Sequence, residues 1–302
     1  MAINYTTKYE SKIAERFKLG SLTDSACGHD YSFVGAKTIK VYSVDTVALN
    51  NFDRTAGSNR FGAVANLGDT VQEMTCTQDK GFTFAIDAGD MSDQAIDKAA
   101  GKALRREIDE VINPTMDKYR LDAWAKGAGN VFTPTGTVTK NTILGNIIDA
   151  NAMATEDLVP TENRTIFISV DWYKLLVQAD AILAIDTLGA KAVSKGAVGT
   201  IDGCIVKPVP TSWMPTGYGA IIKYRGCTVD PVKLQNYDVL TKVQGFDGPV
   251  VQGRVYYDAF VLDAKKNGIV ALKTSRPDIS PDHRASDNRA EALFLKLQYP
   301  ER

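Results

Sequence analysis

Residues 92–127 carry the longest helical pattern in the chain, and whatever fold forms must accommodate it. Ser92 or Asp93 suits the N-cap position. Ile96, Ala99, Ala100, Ala103, Leu104, Ile108, Val111 and Ile112 then recur at helical spacing. Lys98, Lys102, Arg105, Arg106, Glu107, Asp109 and Glu110 occupy the other face. Pro114 lacks an N–H and crowds the preceding turn, so it is expected to kink the helix or divide it in two. Met116, Tyr119, Leu121 and Trp124 continue the apolar face, and Gly127 ends it. Such a pattern spans roughly 50 Å at 1.5 Å per residue, more than an ordinary globular helix needs. It predicts an elongated molecule, extended before the helix and a compact α/β body after it.

The segment before the helix has a different character. Residues 1–36 read as an arm: residues 9–19 form a short amphipathic pattern on Ile13, Phe17 and Leu19, and the turn-rich remainder is expected to pack on a neighbouring element or subunit. Residues 38–47 alternate as a strand, with Ile39 and Val41 opposite Lys40 and Tyr42. Residues 50–68 are polar and rich in Gly and Asn, as at the tip of a long two-stranded excursion. Residues 69–78 and 81–87 return as strands, with Phe82, Phe84 and Ile86 on one face. A ribbon of this length is not stable alone in water. The rest of the chain offers it no surplus surface, which is the first physical hint of assembly.

After the helix, residues 130–139 read as a loop or hairpin and 142–158 as a second amphipathic helix. Residues 165–170 are a buried-strand run, followed by a short helix, 172–178, that Asp171 is placed to cap. Residues 201–209 read as a strand broken by Pro208 and Pro210. Residues 217–223 and 229–234 are short strands, 245–248 a turn, 250–263 a long strand or bent pair, and 268–272 the last core strand. In the polar tail the alternation of Leu293, Leu295 and Leu297 suits an edge strand.

Little in the chain suggests chemistry. Phosphate-loop, dinucleotide, zinc-protease and nucleophile-elbow motifs are all missing from the 302 residues. The two histidines, His29 and His283, lie in the arm and the tail, poor places for a general base. The pairs Asp87 with Asp90 and Asp109 with Glu110 read as solvated charges. Lys102, Arg105 and Arg106 sit beside acids at i,i+4 spacing and read as a salt-bridged helix face. Trp124, Trp172 and Trp213 read as core or interface anchors. Cys27, Cys76, Cys204 and Cys227 form no CxxC, which predicts free buried thiols rather than a zinc site. With 35 basic against 36 acidic residues, no global basic excess points to tight nucleic-acid binding. No apolar run approaches the roughly 18 residues of a membrane span, and the first residues have no signal-peptide core, so the chain is expected to stay in the cytosol where it is made. No catalytic, cofactor-binding or metal-binding residues are expected.

The order of elements and several local phrases carry a resemblance. Phe84, Ala85, Ile86 and Asp87 lead into the long helix, and the run from Val111 through Asn113, Pro114 and Asp117 to Tyr119 lies near its exit. The stretch 164–170 is followed by Trp172 and Leu176; 200–203 is followed by Val206, Lys207, Pro208, Val209 and Pro210; and 252–261 precedes the closing strand. Together these resemble, over residues 30–272, the major capsid proteins of tailed bacteriophages, the Hong Kong 97 phage type fold. The resemblance implies an α+β fold with an N-terminal arm (1–36), an extended β-loop (37–90), a long spine helix with a peripheral domain (91–180), an axial domain (181–245), return strands of the peripheral domain (246–272) and a C-terminal tail (273–302). It further implies a structural protein that self-assembles into hexamers and pentamers of an icosahedral shell around double-stranded DNA, contacted without sequence reading. Scaffolding (unless assembly is unaided), portal and decoration proteins are the implied partners. The implied location is the virion, assembled in the host bacterial cytoplasm. A cargo-loaded, encapsulin-type bacterial nanocompartment is the alternative of the same fold. A cytosolic α/β enzyme is the alternative from another class.

Overall fold

The structure, a computed structural model, describes residues 20–28, 30–31, 37–55, 57–64, 66–86, 100–179, 198–240, 243, 245 and 247–274. The expected arm helix at 9–19, the helix start at Ser92, both histidines, Asp87, Asp90 and the tail beyond residue 274 lie outside the described residues. The chain divides into two compact units, one built from residues 1–21, 27–116 and 226–266, the other from 22–26, 117–225 and 267–302.

The second unit is organised by a mixed six-stranded sheet. Its order is β4 (Asn130–Phe132), β13 (Ile269–Lys273), β8 (Tyr218–Tyr224), β5 (Arg164–Ser169), β7 (Cys204–Val209) and β6 (Gly199–Ile201). Every residue of β5 is buried, because the sheet is covered on both faces. One face presents Ile166, Ile168, Val206, Ala220, Ile222, Val270 and Leu272 to α3 (Ile143–Glu156) and α4 (Val170–Gln178). These helices contribute Ile143, Ile147, Ala150, Trp172 and Leu176 to the same core. Phe167 belongs to the opposite face, where its ring lies 5.5 Å from that of Trp124 of α2 (Asn113–Lys126). Residues 164–178, placed with the peripheral segment from sequence, thus share one sheet and core with 199–209, placed with the axial segment.

Several local expectations are corrected. Of the two outcomes expected at Pro114, a kink or a division, the division does not occur. α1 (Ala100–Glu107) passes into a π-turn (Ile108–Ile112) and on into α2, with the Asn113 N–H reaching back to the Ile108 carbonyl. The wider π ring accommodates a proline at the second position of α2, where its missing N–H is least disruptive. The cap of α4 is Ser169, whose Oγ accepts from the Trp172 N–H at 3.4 Å; Asp171 sits within the first turn and pairs with Lys174. Residues 201–209 break at Asp202 and Gly203, not at the prolines: both have positive φ (48° and 75°) and form the tight turn of the β6–β7 hairpin. Pro208 stays in β7, beyond the last residue that β6 pairs, so no ladder partner is lost. Residues 130–139 are not a hairpin, since β4 adds to the sheet edge parallel to β13. Part of the arm packs on its own chain: Leu22, Thr23 and Ala26 are buried in this unit.

A buried arginine closes the end of α3. Leu158, at φ 57°, turns the chain out of the helix, and the Val159 N–H reaches back to the Ala154 carbonyl. The Arg164 guanidinium then donates to the carbonyls of Val159 and Pro160, to Asn151 Oδ1 at 2.6 Å and to Thr155 Oγ1 at 3.0 Å. Asn151 in turn donates to Asp202 in the β6–β7 turn at 2.8 Å. Arg164→Leu strands these buried acceptors and is expected to cost about 3–5 kcal/mol in urea unfolding. Ser169→Ala is expected to cost about 1 kcal/mol, and Asp171→Ala clearly less.

Candidate assembly surface

The first unit holds the extended ribbon. β1 (Thr38–Val44) pairs antiparallel with β2 (Asp69–Thr75), and β3 (Gln78–Ala85) follows after two residues. The returning strands are therefore 69–75 and 78–85, against the expected 69–78 and 81–87. The second does not continue the ribbon. β3 joins β10 (Val232–Leu240) and β11 (Val250–Tyr257) in the order β10-β11-β3, with Phe84 opposite Val251 and Phe82 opposite Gly253. Half of the excursion thus finds a partner within the chain. Gly253 is required there, since a Cβ would come within 2.5 Å of the Phe82 ring, which also stacks beside Tyr237. On this face Phe82, Val255 and Tyr257 line a cleft with Val111, Ile112 and Met116 of the helix.

The ribbon has two unlike faces. Ile39, Val41 and Met74 turn inward onto Val229, Leu262 and Phe260. Gln72 secures this packing, donating to the Val261 carbonyl and accepting from the Asp263 N–H. The outward face carries Tyr42, its cross-strand partner Val71, and Val44, all exposed. The loop beyond continues that character with Val47, Leu49, Phe52, Phe61, Val64 and Leu67, and Leu49 and Val64 are 101% and 96% exposed. Soluble monomers seldom present so many large apolar side chains along one element.

This loop is nevertheless built. The Asp45 N–H continues the ladder to the Gly68 carbonyl, and the Asp53 N–H bonds the Arg60 carbonyl. Asp53 Oδ1 accepts from both the N–H and the hydroxyl of Thr55, and the Phe52 and Phe61 rings meet edge to face at 4.9 Å. Asn59 and Gly62 take positive φ, and Gly62 has no room for a side chain beside Asn50.

Among the described residues, those considered for chemistry are not brought together as a reactive site. Glu110 pairs with Arg106 at 3.2 Å, as the i,i+4 reading expected. Trp124 and Trp172 are buried core residues. All four cysteines are free and buried, and burial raises the Cys204 thiol to about 11. The bidentate Arg254–Asp79 pair holds that carboxyl below its usual range, but it stands on an exposed sheet surface. Among the described residues no cluster of three His, Cys, Asp or Glu gathers as for a metal, and no helix is long and apolar enough to cross a membrane.

Comparison of the whole fold decides its class. It is similar to a structure from Mycobacterium phage Che8 (TM-score 0.71, 13% identity, 89% of this chain and 96% of that one). It is equally similar to the capsid structure of the cyanophage P-SCSP1u (TM-score 0.72, 11% identity, 90% and 94%). The capsid of Ralstonia phage GP4 gives a TM-score of 0.65 at 14% identity, over 91% and 96%. This chain has the phage capsid fold. The α+β architecture expected from the resemblance is borne out. No protein-family model matches the sequence, and no curated protein matches it. At such identities the shared capsid fold is maintained by burial pattern and topology rather than by particular residues.

The apolar loop gives a direct test on the subunit. Leu49→Asp and Val64→Asp replace side chains that touch little, so each is expected to change monomer stability by less than about 0.5 kcal/mol. The unaltered chain is expected to sediment as higher-mass species, and each substitution is expected to abolish them.

Proposed function

We propose that this chain is the major capsid protein of a tailed bacteriophage, assembling as hexamers and pentamers into a closed shell around double-stranded DNA. The observation that carries the reading is the ordered, solvent-facing apolar loop of residues 45–68 on a chain with the capsid fold. In a shell that loop and the outward ribbon face would lie over an adjacent subunit. Burial of such side chains is worth about 1.5–3 kcal/mol each, and contacts repeated around a closed symmetric assembly add up to a stable container from modest pairwise terms.

The rest of the reading follows from this role. The subunit is structural and catalyses no reaction, in keeping with its buried thiols and salt-bridged helix charges. Near-balanced charge, 35 basic against 36 acidic residues, suits close packing beside DNA held without sequence reading. The segments 1–36, 37–90, 91–180, 181–245, 246–272 and 273–302 serve as arm, extended loop, spine with peripheral domain, axial domain, return strands and tail. Scaffolding, portal and decoration proteins are the expected partners. The mature location is the virion, reached by assembly in the host cytoplasm.

Electron microscopy of the chain expressed alone, and with its phage scaffold, is expected to show closed shells or capsomer rings. Deleting residues 55–66 is expected to leave a folded, soluble subunit that forms neither. Normal particle yield from that deletion would remove the loop from the mechanism. A subunit that never assembles under any of these conditions would overturn the shell itself. Protein cargo in place of DNA inside native particles would identify a nanocompartment instead.

A further inference from the structure

On the sheet face that packs against α2, two lysines stand inside strands where apolar residues are expected. Lys207 of β7 and Lys223 of β8 are 3% and 0% exposed. Each ammonium lies over an aromatic ring: Lys223 Nζ is 3.9 Å from the Trp124 ring centroid and Lys207 Nζ is 5.9 Å from that of Phe167. Both reach the same short segment, the turn containing the 3-10 helix Asp24–Ala26. Lys207 donates to the Leu22 carbonyl at 2.8 Å and to Ser25 Oγ, and Lys223 donates to the Ala26 carbonyl. Asp117 of α2, fully buried, accepts from the Leu22 N–H at 2.8 Å and from Thr23 Oγ1 at 2.5 Å. Arg120, one turn further along α2 and also buried, donates to Thr23 Oγ1 at 3.1 Å and lies 3.8 Å from both Asp117 and Asp24.

The charges explain why the segment matters. Among the described residues at this turn, Lys207, Lys223 and Arg120 are buried cations and Asp117 is a buried carboxylate, while Asp24 is exposed. Carbonyl and hydroxyl oxygens of residues 22–26 supply acceptors for the cations. Losing them would take hydrogen-bond acceptors away from buried ammonium groups, a costly change. Three of these six bonds go to main-chain atoms of Leu22 and Ala26 and three to the hydroxyls of Thr23 and Ser25, so the site holds the turn by its backbone and its hydroxyl side chains together.

We propose that Lys207, Lys223, Asp117 and Arg120 form a receptor for the turn at residues 22–26, and that this receptor anchors the N-terminal arm to the six-stranded unit. The arm then has a fixed origin at Leu22 whatever the residues before it contact. The anchor is a property of the single subunit and stands apart from shell formation.

Hydrogen exchange on the full-length chain, read by mass spectrometry, tests this. In Lys207→Met and Lys223→Met, which keep side-chain length and apolar packing, the amides of residues 22–26 are expected to exchange at least about tenfold faster. Those of β5 and β8 are expected to stay protected. Leu22→Pro removes the N–H that Asp117 accepts and alters nothing in the sheet; it is expected to give the same selective opening. Ser25→Ala, which leaves the main-chain bonds intact, is expected to change exchange by less than about twofold. Unchanged exchange at 22–26 in both lysine variants and at 23–26 in Leu22→Pro would overturn the anchor. So would sheet and segment opening in step in all three, because the lysines would then serve the sheet alone. Should the lysine variants fail to fold, Leu22→Pro decides by the same two criteria.

Discussion

A sheet covered on both faces cannot hydrate any polar side chain that its strands carry. That constraint shapes the second unit. β5 is buried throughout, yet it begins with Arg164, and its neighbours β7 and β8 carry Lys207 and Lys223. Each cation has drawn a fixed set of acceptors around itself. Arg164 collects the carbonyls beyond α3 together with Asn151 and Thr155, while the lysines collect the turn at 22–26. Hydrogen bonds of buried charges are worth more than those of neutral groups and are costlier to break. Parts of the chain far apart in sequence are therefore fixed by cations rather than by apolar contact alone.

The first unit solves a different problem. Its ribbon has only two strands, and two strands do not bury enough to stand alone. One face is satisfied by Val229, Phe260 and Leu262, and the strand that follows is satisfied by β11. The outward face and the loop beyond have no such cover. The same pair of strands thus carries one packed apolar face and one exposed apolar face.

Much of the fold was legible because it rests on periodicity. The helical pattern ending at Gly127, the amphipathic α3 and the apolar run of β5 follow directly from their spacing. The misreadings lie where a local rule met a tertiary partner. Pro114 is absorbed by the π-turn before it, and Pro208 by its place past the reach of β6. Asp171 looked like a cap, but the strand ends at Ser169, one residue sooner than expected, and the helix starts at Val170, which puts Ser169 in the cap position. The pairing of β3 with β11 joins residues some 170 positions apart, and no local pattern encodes it. The surface was half legible: the Gly- and Asn-rich loop marked its place, but scattered apolar residues within a polar stretch do not reveal that they face water together. The arm anchor had a signal that went unread, a lysine inside each of the buried runs CIVKPV and YGAIIKY.

The junction between ribbon and sheet has a mechanical meaning. β2 and β3 are joined only through Cys76 and Thr77, and both are pinned. The Cys76 N–H bonds the Lys37 carbonyl, its own carbonyl accepts from the Tyr256 hydroxyl, and Thr77 gives its N–H and hydroxyl to Asp258. A load applied to the loop reaches the β3 sheet through this two-residue coupling. The ribbon is in effect a stiff strut with a clamped foot, and strain imposed at its tip is delivered to a sheet instead of being lost in a slack linker.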